Sequence, residues 1–266
     1  MRLRGARPAL LAVAVISAVM IGVFVTPPAR SATTVPHPIA PFGQTSAIGA
    51  LFTLASSGQL QSHFCTASVV DSPAGDLLVT AAHCMQGQTA GQVAFVPDYS
   101  SGQEPYGVWT VTQVIVDKNW TTSGDPDDDF AFLVVSRANS KVPVQEITGG
   151  EALGIGASAG RTVEVAGYPD SQDALLSCEN TVLAYSGTQF EFDCAGFTDG
   201  TSGSPLLADG IPVGPAPKAA RAGADVVIGV IGGYEQGGYT ASVSYAARFS
   251  SRLSALYEVA LTAAGQ

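Results

Sequence analysis

Three chemically distinctive segments occur in a fixed chain order, and that order restricts the folds open to this sequence more than any other feature. Thr80-Ala81-Ala82-His83-Cys84 comes first, an acidic turn with Asp125, Asp127, Asp128 and Asp129 follows, and Gly200-Thr201-Ser202-Gly203-Ser204-Pro205 comes last. A serine hydroxyl is a weak nucleophile at neutral pH, so acyl transfer needs a histidine to accept its proton and a carboxylate to fix the histidine tautomer. His83, Asp129 and Ser202 are the candidates for base, orienting acid and nucleophile. The same constellation recurs on unrelated scaffolds in different orders. An α/β-hydrolase places its histidine after the nucleophile, yet His37, His63 and His83 all precede Ser202, and residues 200–204 read G-x-S-G-S rather than G-x-S-x-G. A subtilisin-type order needs an acid upstream of His83; Asp71 and Asp76 are there, but neither lies on a strand followed by a Gly-rich turn.

Short apolar runs bounded by turn residues recur at 47–54, 64–70, 76–80, 92–96, 108–116, 130–136, 161–167, 178–185, 189–194, 204–207, 226–232 and 239–244. Runs of this kind read as strands. Twelve of them predict an all-β chain of two six-stranded antiparallel barrels, residues 47–147 and 161–245. Residues 148–160, rich in Gly and Ala and without Pro, read as the crossover between the halves. Residues 246–266 form a closing helix and tail, because Ala246, Phe249, Leu253, Leu256 and Ala260 share one face at helical spacing over 245–260. Residues 211–223, with three prolines, read as a loop, and no repeat is visible at solenoid periods.

At the N-terminus, Arg2, Arg4 and Arg7 precede an apolar run over residues 8–25, and Pro27-Pro28 leads to Ala29-Arg30-Ser31. This is the layout of a secretory signal peptide over residues 1–31, cleaved near Ser31 or Ala32, with residues 32–46 as an N-terminal segment of the mature chain. An uncleaved anchor is the competing reading, as eighteen mostly apolar residues barely span a bilayer. There is no Arg-Arg pair for a twin-arginine signal. Without residues 1–31 the chain loses four of its 12 basic residues and none of its 22 acidic ones, and the formal charge moves from −10 to −14. That charge argues against nucleic-acid binding, which rests on Lys and Arg at phosphates. The expectation is a secreted monomer, off the membrane once the signal is removed.

Together, His63-Phe64-Cys65, the Thr80 to Cys84 segment, Asp129-Phe130-Ala131-Phe132-Leu133 and the Gly200 to Pro205 segment resemble the chymotrypsin-like (trypsin-like) serine peptidases, more narrowly their secreted bacterial branch. The resemblance runs from about residue 48 to the C-terminal helix. It implies a serine endopeptidase that hydrolyses polypeptide substrates through an acyl-enzyme intermediate, with no cofactor and no metal. The backbone N–H groups of Gly200 and Ser202 would form the oxyanion hole. Four cysteines in an exported chain read as two disulfides, with three connectivities open on sequence alone. The resemblance implies Cys65 with Cys84 beside the histidine, which leaves Cys178 with Cys194.

The family's substrate pocket is walled by the segment before the nucleophile and by a later strand. These map onto Gly196, Phe197 and Thr198, with Asp199 nearer the rim, and onto Ile231, Gly232 and Gly233. No acid stands at the pocket base, Gly196, so an Arg or Lys preference is not implied; Ile231 stands where glutamyl-specific relatives carry His. A small or apolar P1 residue is the expectation. Thr201 departs from the family, since trypsin and chymotrypsin carry Asp there to bind a newly made N-terminal amine. No Arg-Ile-Val-Gly-Gly site is present either, the nearest equivalent being Ala47-Ile48-Gly49-Ala50. The oxyanion hole is therefore expected to form without an ion pair to Ile48.

Alternatives stand beside these assignments. His63, next but one to Cys65, reads as structural, and His37 among prolines as exposed. The acidic turn could be a solvated loop or a calcium site, although calcium needs several oxygens converging at once; Asp128 is the fallback for the orienting acid. A catalytically inactive relative serving as a binding or adhesion module, or an esterase using the same three residues, would share the scaffold.

Overall fold

The computed structural model describes residues 45–209 and 226–265. The expected signal peptide, His37 and the proline-bearing loop at 211–223 lie outside the described residues. Six strands make the first half: β1 (Ile48–Leu54), β2 (Leu60–Val69), β3 (Leu77–Thr80), β4 (Val93–Pro97), β5 (Trp109–Val116) and β6 (Ala131–Ser136). They close into a barrel in the order β1-β2-β3-β6-β5-β4.

Side chains on a strand alternate between its faces, and here both faces are buried. Leu51, Leu78, Ala131 and Leu133 point into the barrel with Phe95 and Trp109. Their neighbours Ala50, Phe52, Leu77, Val79, Phe132 and Val134 join a second core with Leu207 and Val227 of the other half and Leu253 and Tyr257 of the C-terminal helix. That is why these strands are apolar at successive positions rather than at every second one.

Among the described residues eight strands make the second half: β7 (Ala152–Leu153), β8 (Thr162–Gly167), β9 (Leu176–Thr181), β10 (Leu183–Ala184), β11 (Gln189–Asp193), β12 (Pro205–Ala208), β13 (Val226–Ile231) and β14 (Val243–Arg248). They form one curled sheet in the order β10-β11-β14-β13-β12-β8-β9, with β7 parallel to β13. β9 and β11 are joined by the Cys178–Cys194 disulfide and by Asn180 Nδ2 donating to Asp193 O at 2.6 Å. The all-β architecture expected of the sequence is present, the second half curling to a cross-link instead of completing a hydrogen-bonded ring.

Among the described residues three α-helices complete the fold: α1 (Lys118–Ser123), α2 (Val144–Thr148) and α3 (Ser251–Ala264). The first two were not anticipated, being one to two turns long and too short to show helical periodicity. The third starts later than the sequence suggested. Residues 245–248 pair within β14, with Ala246 opposite both Phe190 and Ile231, and the helix begins where Ser250 caps it by accepting from Arg252 N–H. The last strand is displaced in the same direction, to 243–248 from the expected 239–244, because the glycine-rich stretch after β13 takes up a turn first. Leu253, Leu256, Tyr257 and Ala260 are the buried face of α3.

Candidate active site

β3 ends at Thr80, and His83 opens the short 3-10 turn that follows, with Cys84 tied back to Cys65 on β2. Another 3-10 turn, Pro126–Asp128, delivers Asp129 immediately before the buried Phe130 and strand β6. The two meet. His83 Nδ1 lies 2.7 Å from Asp129 Oδ2, His83 N–H donates to Oδ1 at 2.8 Å, and Gly233 N–H donates to Oδ2 at 2.7 Å. The Asp129 side chain is 0% exposed, so its charge depends on these donors in place of water. With Nδ1–H directed to the carboxylate, Nε2 is the ring nitrogen available as an acceptor.

Ser202 sits on a turn of the second half that is built partly by the first. Gly200 and Gly203 have φ of 92° and 84°, conformations side-chain-bearing residues rarely adopt. A Cβ on Gly203 would run into Thr66 O and Thr80 Oγ1 of the barrel. Thr66 N–H donates to Ser202 O at 2.8 Å, Thr66 Oγ1 to Gly200 O at 3.1 Å, and Thr80 Oγ1 to Thr66 O at 2.7 Å. Thr66 was not singled out from the sequence, where a buried threonine in a strand carries no special mark, and Thr80 entered only as the first residue of the segment that holds His83. The N–H groups of Thr201, Gly203 and Ser204 bond to Thr198 O, Ile231 O and Thr201 O. Those of Gly200 and Ser202 have no acceptor among the described residues.

The four aspartates of the acidic turn have separate partners. Asp125 Oδ2 meets Arg252 Nη1 at 3.2 Å, and Asp127 Oδ1 accepts from Thr188 Oγ1 and Gln189 Nε2. Asp128 Oδ2 accepts from Arg252 Nη1 at 2.6 Å and from Asn119 Nδ2 at 2.9 Å. Burial pushes the Asp128 carboxyl above its usual range, and the Asn119 bond and the Arg252 charge oppose that rise. The fallback acid is thus engaged by a guanidinium, and Asp129 is the one beside His83. His63 is buried, its ring within 5.5 Å of Phe52 and its Nε2 3.7 Å from Asp173 Oδ1.

Residues 43–251 match the trypsin family over most of the chain. The chain belongs to that family. Its fold resembles that of the protease Anisep from Arthrobacter nicotinovorans, with a TM-score of 0.65 at 21% identity, covering 86% of this chain and 98% of the other. A thermostable serine protease, AL20, from an extremophilic microorganism superposes with a TM-score of 0.64 at 24% identity, covering 82% and 98%. A Glu endopeptidase does so at 0.61 and 15% identity, covering 84% and 93%. No curated protein matches at the level of sequence. The protein is a serine-type endopeptidase of chymotrypsin-like fold.

Three cavities meet at the peptidase's cleft. His83, Ser202, Gly200, Cys65 and Glu235 line one of about 340 Å³. Ser202, Phe197, Thr198, Ile231 and Ser244 line a second of about 440 Å³, and Phe197, Thr198 and Ile231 are among the residues the sequence put forward for a substrate pocket. Three residues expected on its wall lie off it. Gly196 N–H is bonded to Ala241 O, Gly232 N–H to Tyr245 O, and Gly233 N–H serves Asp129. The wall is completed instead by Gln236, Gly238 and Tyr239. Trp120, Met85, Val114 and Tyr234 line a third cavity of about 690 Å³. Gln236 borders all three and, like Glu235, has positive φ (53° and 51°) within a turn flanked by glycines. Left-handed backbone at side-chain-bearing residues is held by its surroundings and concentrates at functional sites. A glycine-rich, aperiodic segment gave the sequence reading no means to assign it.

Proposed function

We propose that this peptidase is secreted and cleaves polypeptides through an acyl-enzyme on Ser202. His83 Nε2 takes the hydroxyl proton as Ser202 Oγ attacks the scissile carbonyl, Asp129 holds the imidazole and stabilises the imidazolium, and the proton passes to the leaving amine. Water then attacks the ester, with His83 again as base. The N–H groups of Gly200 and Ser202 receive the oxyanion; losing one such donor typically costs about a hundred- to a thousandfold in turnover. The observation that carries this reading is the 2.7 Å contact of His83 Nδ1 with a buried Asp129, on a histidine that shares a cavity with Ser202.

The test is Ser202→Ala with a fluorophosphonate probe. The variant should fold and be exported, lose at least about 10⁴-fold in peptide hydrolysis, and remain unlabelled while the wild type is labelled. An unlabelled wild type would favour the binding-module reading; hydrolysis unchanged by the substitution would remove Ser202 from the mechanism.

A small or apolar P1 side chain suits the 440 Å³ pocket, in which, among the described residues, Phe197 and Ile231 supply apolar wall and no Lys, Arg or His does so. Thr201 Oγ1 donates to Thr198 O at 2.6 Å, so the position that carries a charged partner in trypsin is held by a neutral bond. This supports a hole that forms without a new N-terminus at Ile48, which is fully buried in β1. Two disulfides and the signal-like residues 1–31 support export.

A further inference from the structure

Arg252 lies in the first turn of α3, where the helix dipole disfavours a cation. Its place there is explained by what it touches. One guanidinium nitrogen, Nη1, reaches both ends of the turn that presents the triad acid, Asp125 Oδ2 at 3.2 Å and Asp128 Oδ2 at 2.6 Å. Asp128 is fully buried and is the chain neighbour of Asp129. On the other side of Asp129, Phe130 packs edge-to-face on Phe249 at 6.2 Å, and two residues further Phe132 meets Tyr257 at 5.5 Å. The residues before and after the acid are therefore gripped by one short stretch of chain, Phe249 and Arg252, more than a hundred positions downstream.

We propose that Arg252 is a positioning residue for the proposed triad: it clamps the Asp125–Asp128 turn and neutralises Asp128, so that Asp129 meets His83 in one geometry and as the charge that His83 senses. Two adjacent buried carboxylates disfavour each other's ionisation unless a cation compensates one of them. Asp128 faces Arg252 from α3, Asp125 within its own turn, and Asp117 and Asn119 at the start of α1. Asp117 and Asp125 add negative charge, and among the described residues Arg252 is the cation that opposes it at Asp128. His83 faces Asp129 directly, with Asp199 and Glu235 along the same cavity.

The inference rests on the triad reading, and its test separates the two. Arg252→Met, Arg252→Lys and Arg252→Met/Asp128→Asn would be compared with the wild type by fluorophosphonate labelling rate, by the pH profile of kcat/KM on a peptide ester, and by NMR titration of the His83 imidazole. Arg252→Met should lower kcat about tenfold or more with little change in KM, and should move the acid limb and the His83 titration together to higher pH, since uncompensated negative charge favours the imidazolium. Arg252→Lys should restore part of the loss, and removing both charges should return the titration toward the wild-type value. If Arg252→Met lowers only the melting temperature, with kcat, acid limb and titration unmoved in the folded protein, the proposal is overturned. Should the wild type resist labelling, the triad reading fails; a shifted His83 titration in Arg252→Met would still support the clamp, and an unshifted one would end it.

Discussion

The two β halves of the molecule solve the same problem differently. The first barrel satisfies every strand by hydrogen bonding around a closed ring, and its disulfide, Cys65–Cys84, adds nothing to closure. It ties the turn carrying His83 to β2. The second sheet leaves β9 and β11 without a ladder between them, and there Cys178–Cys194 does the joining. The closed barrel supplies His83 and Asp129 from the ends of its strands; the curled sheet supplies Ser202 and the pocket from turns rich in left-handed glycines. Ring and rim each contribute one side of the cavity that His83 and Ser202 share, and Thr66 and Thr80 join them.

Gly203→Ala strikes where the halves touch. The new Cβ meets Thr66 O and Thr80 Oγ1 and demands left-handed backbone, together about 2–5 kcal/mol of destabilisation. A shift of about 1 Å in the Ser202 turn should cost about a hundredfold in kcat/KM. Both are read by urea unfolding and ester hydrolysis. A variant of wild-type activity would mean the barrel does not hold the Ser202 turn.

The disulfides offer a cleaner contrast. They span similar sequence separations, 19 and 16 residues, so removing either should cost about 3 kcal/mol by loop entropy. Cys178→Ala/Cys194→Ala should lower stability and leave the kcat of the folded enzyme unchanged. Cys65→Ala/Cys84→Ala should lower both, because Cys65 and Cys84 line the His83 cavity. Equal loss of kcat in the two variants would erase the distinction between closure and catalytic bracing.

The smallest effect concerns the helix that packs on the closed barrel. Tyr257 donates to Asp71 O at 2.6 Å, and burial pushes its phenol up to about 12. A raised folded value favours the protonated form, so this contribution is fully present below the ordinary tyrosine value near 10 and is lost as pH rises through about 12. The stability difference between wild type and Tyr257→Phe should shrink by roughly 2 kcal/mol across that window, measured by urea unfolding. A difference independent of pH would mean that the phenol is not held neutral by the fold.

Much of this was legible in one dimension. The short apolar runs of β3 and β6, whose Leu78 and Leu133 face one core and Val79 and Phe132 the other, are a local pattern and locate strands directly. The spacing of Thr-Ala-Ala-His-Cys and Gly-x-Ser-Gly-Ser, with an acid before an apolar strand, brought forward His83, Asp129 and Ser202; the first two are in contact, and the first and last line one cavity. The acidic run was resolved only in part, with Asp129 preferred for its place before the strand and Asp128 kept as the fallback. Asp125, Asp127, Asp128 and Asp129 are chemically alike, and what separates them is Arg252, Gln189, Asn119 and His83, drawn from four stretches of chain 9 to 124 positions away. The pocket wall was half legible: Phe197, Thr198 and Ile231 follow from the motif, whereas Gln236 and Tyr239 arrive on a turn whose path depends on glycine φ angles.

By itself the amino-acid order determined the β class, the chemistry of a His, an Asp and a Ser in that succession, and the residues able to supply each. Those properties are carried by side-chain type and short-range periodicity. Tertiary structure decided which aspartate meets the imidazole, which glycines wall the pocket and which brace the acid, and why an arginine opens the last helix. These depend on contacts between residues far apart in the chain, 46 positions for His83 and Asp129 and 124 for Asp128 and Arg252, whose partners are selected when two apolar sheets and a helix are packed together and each buried charge must find its counter-charge or donor.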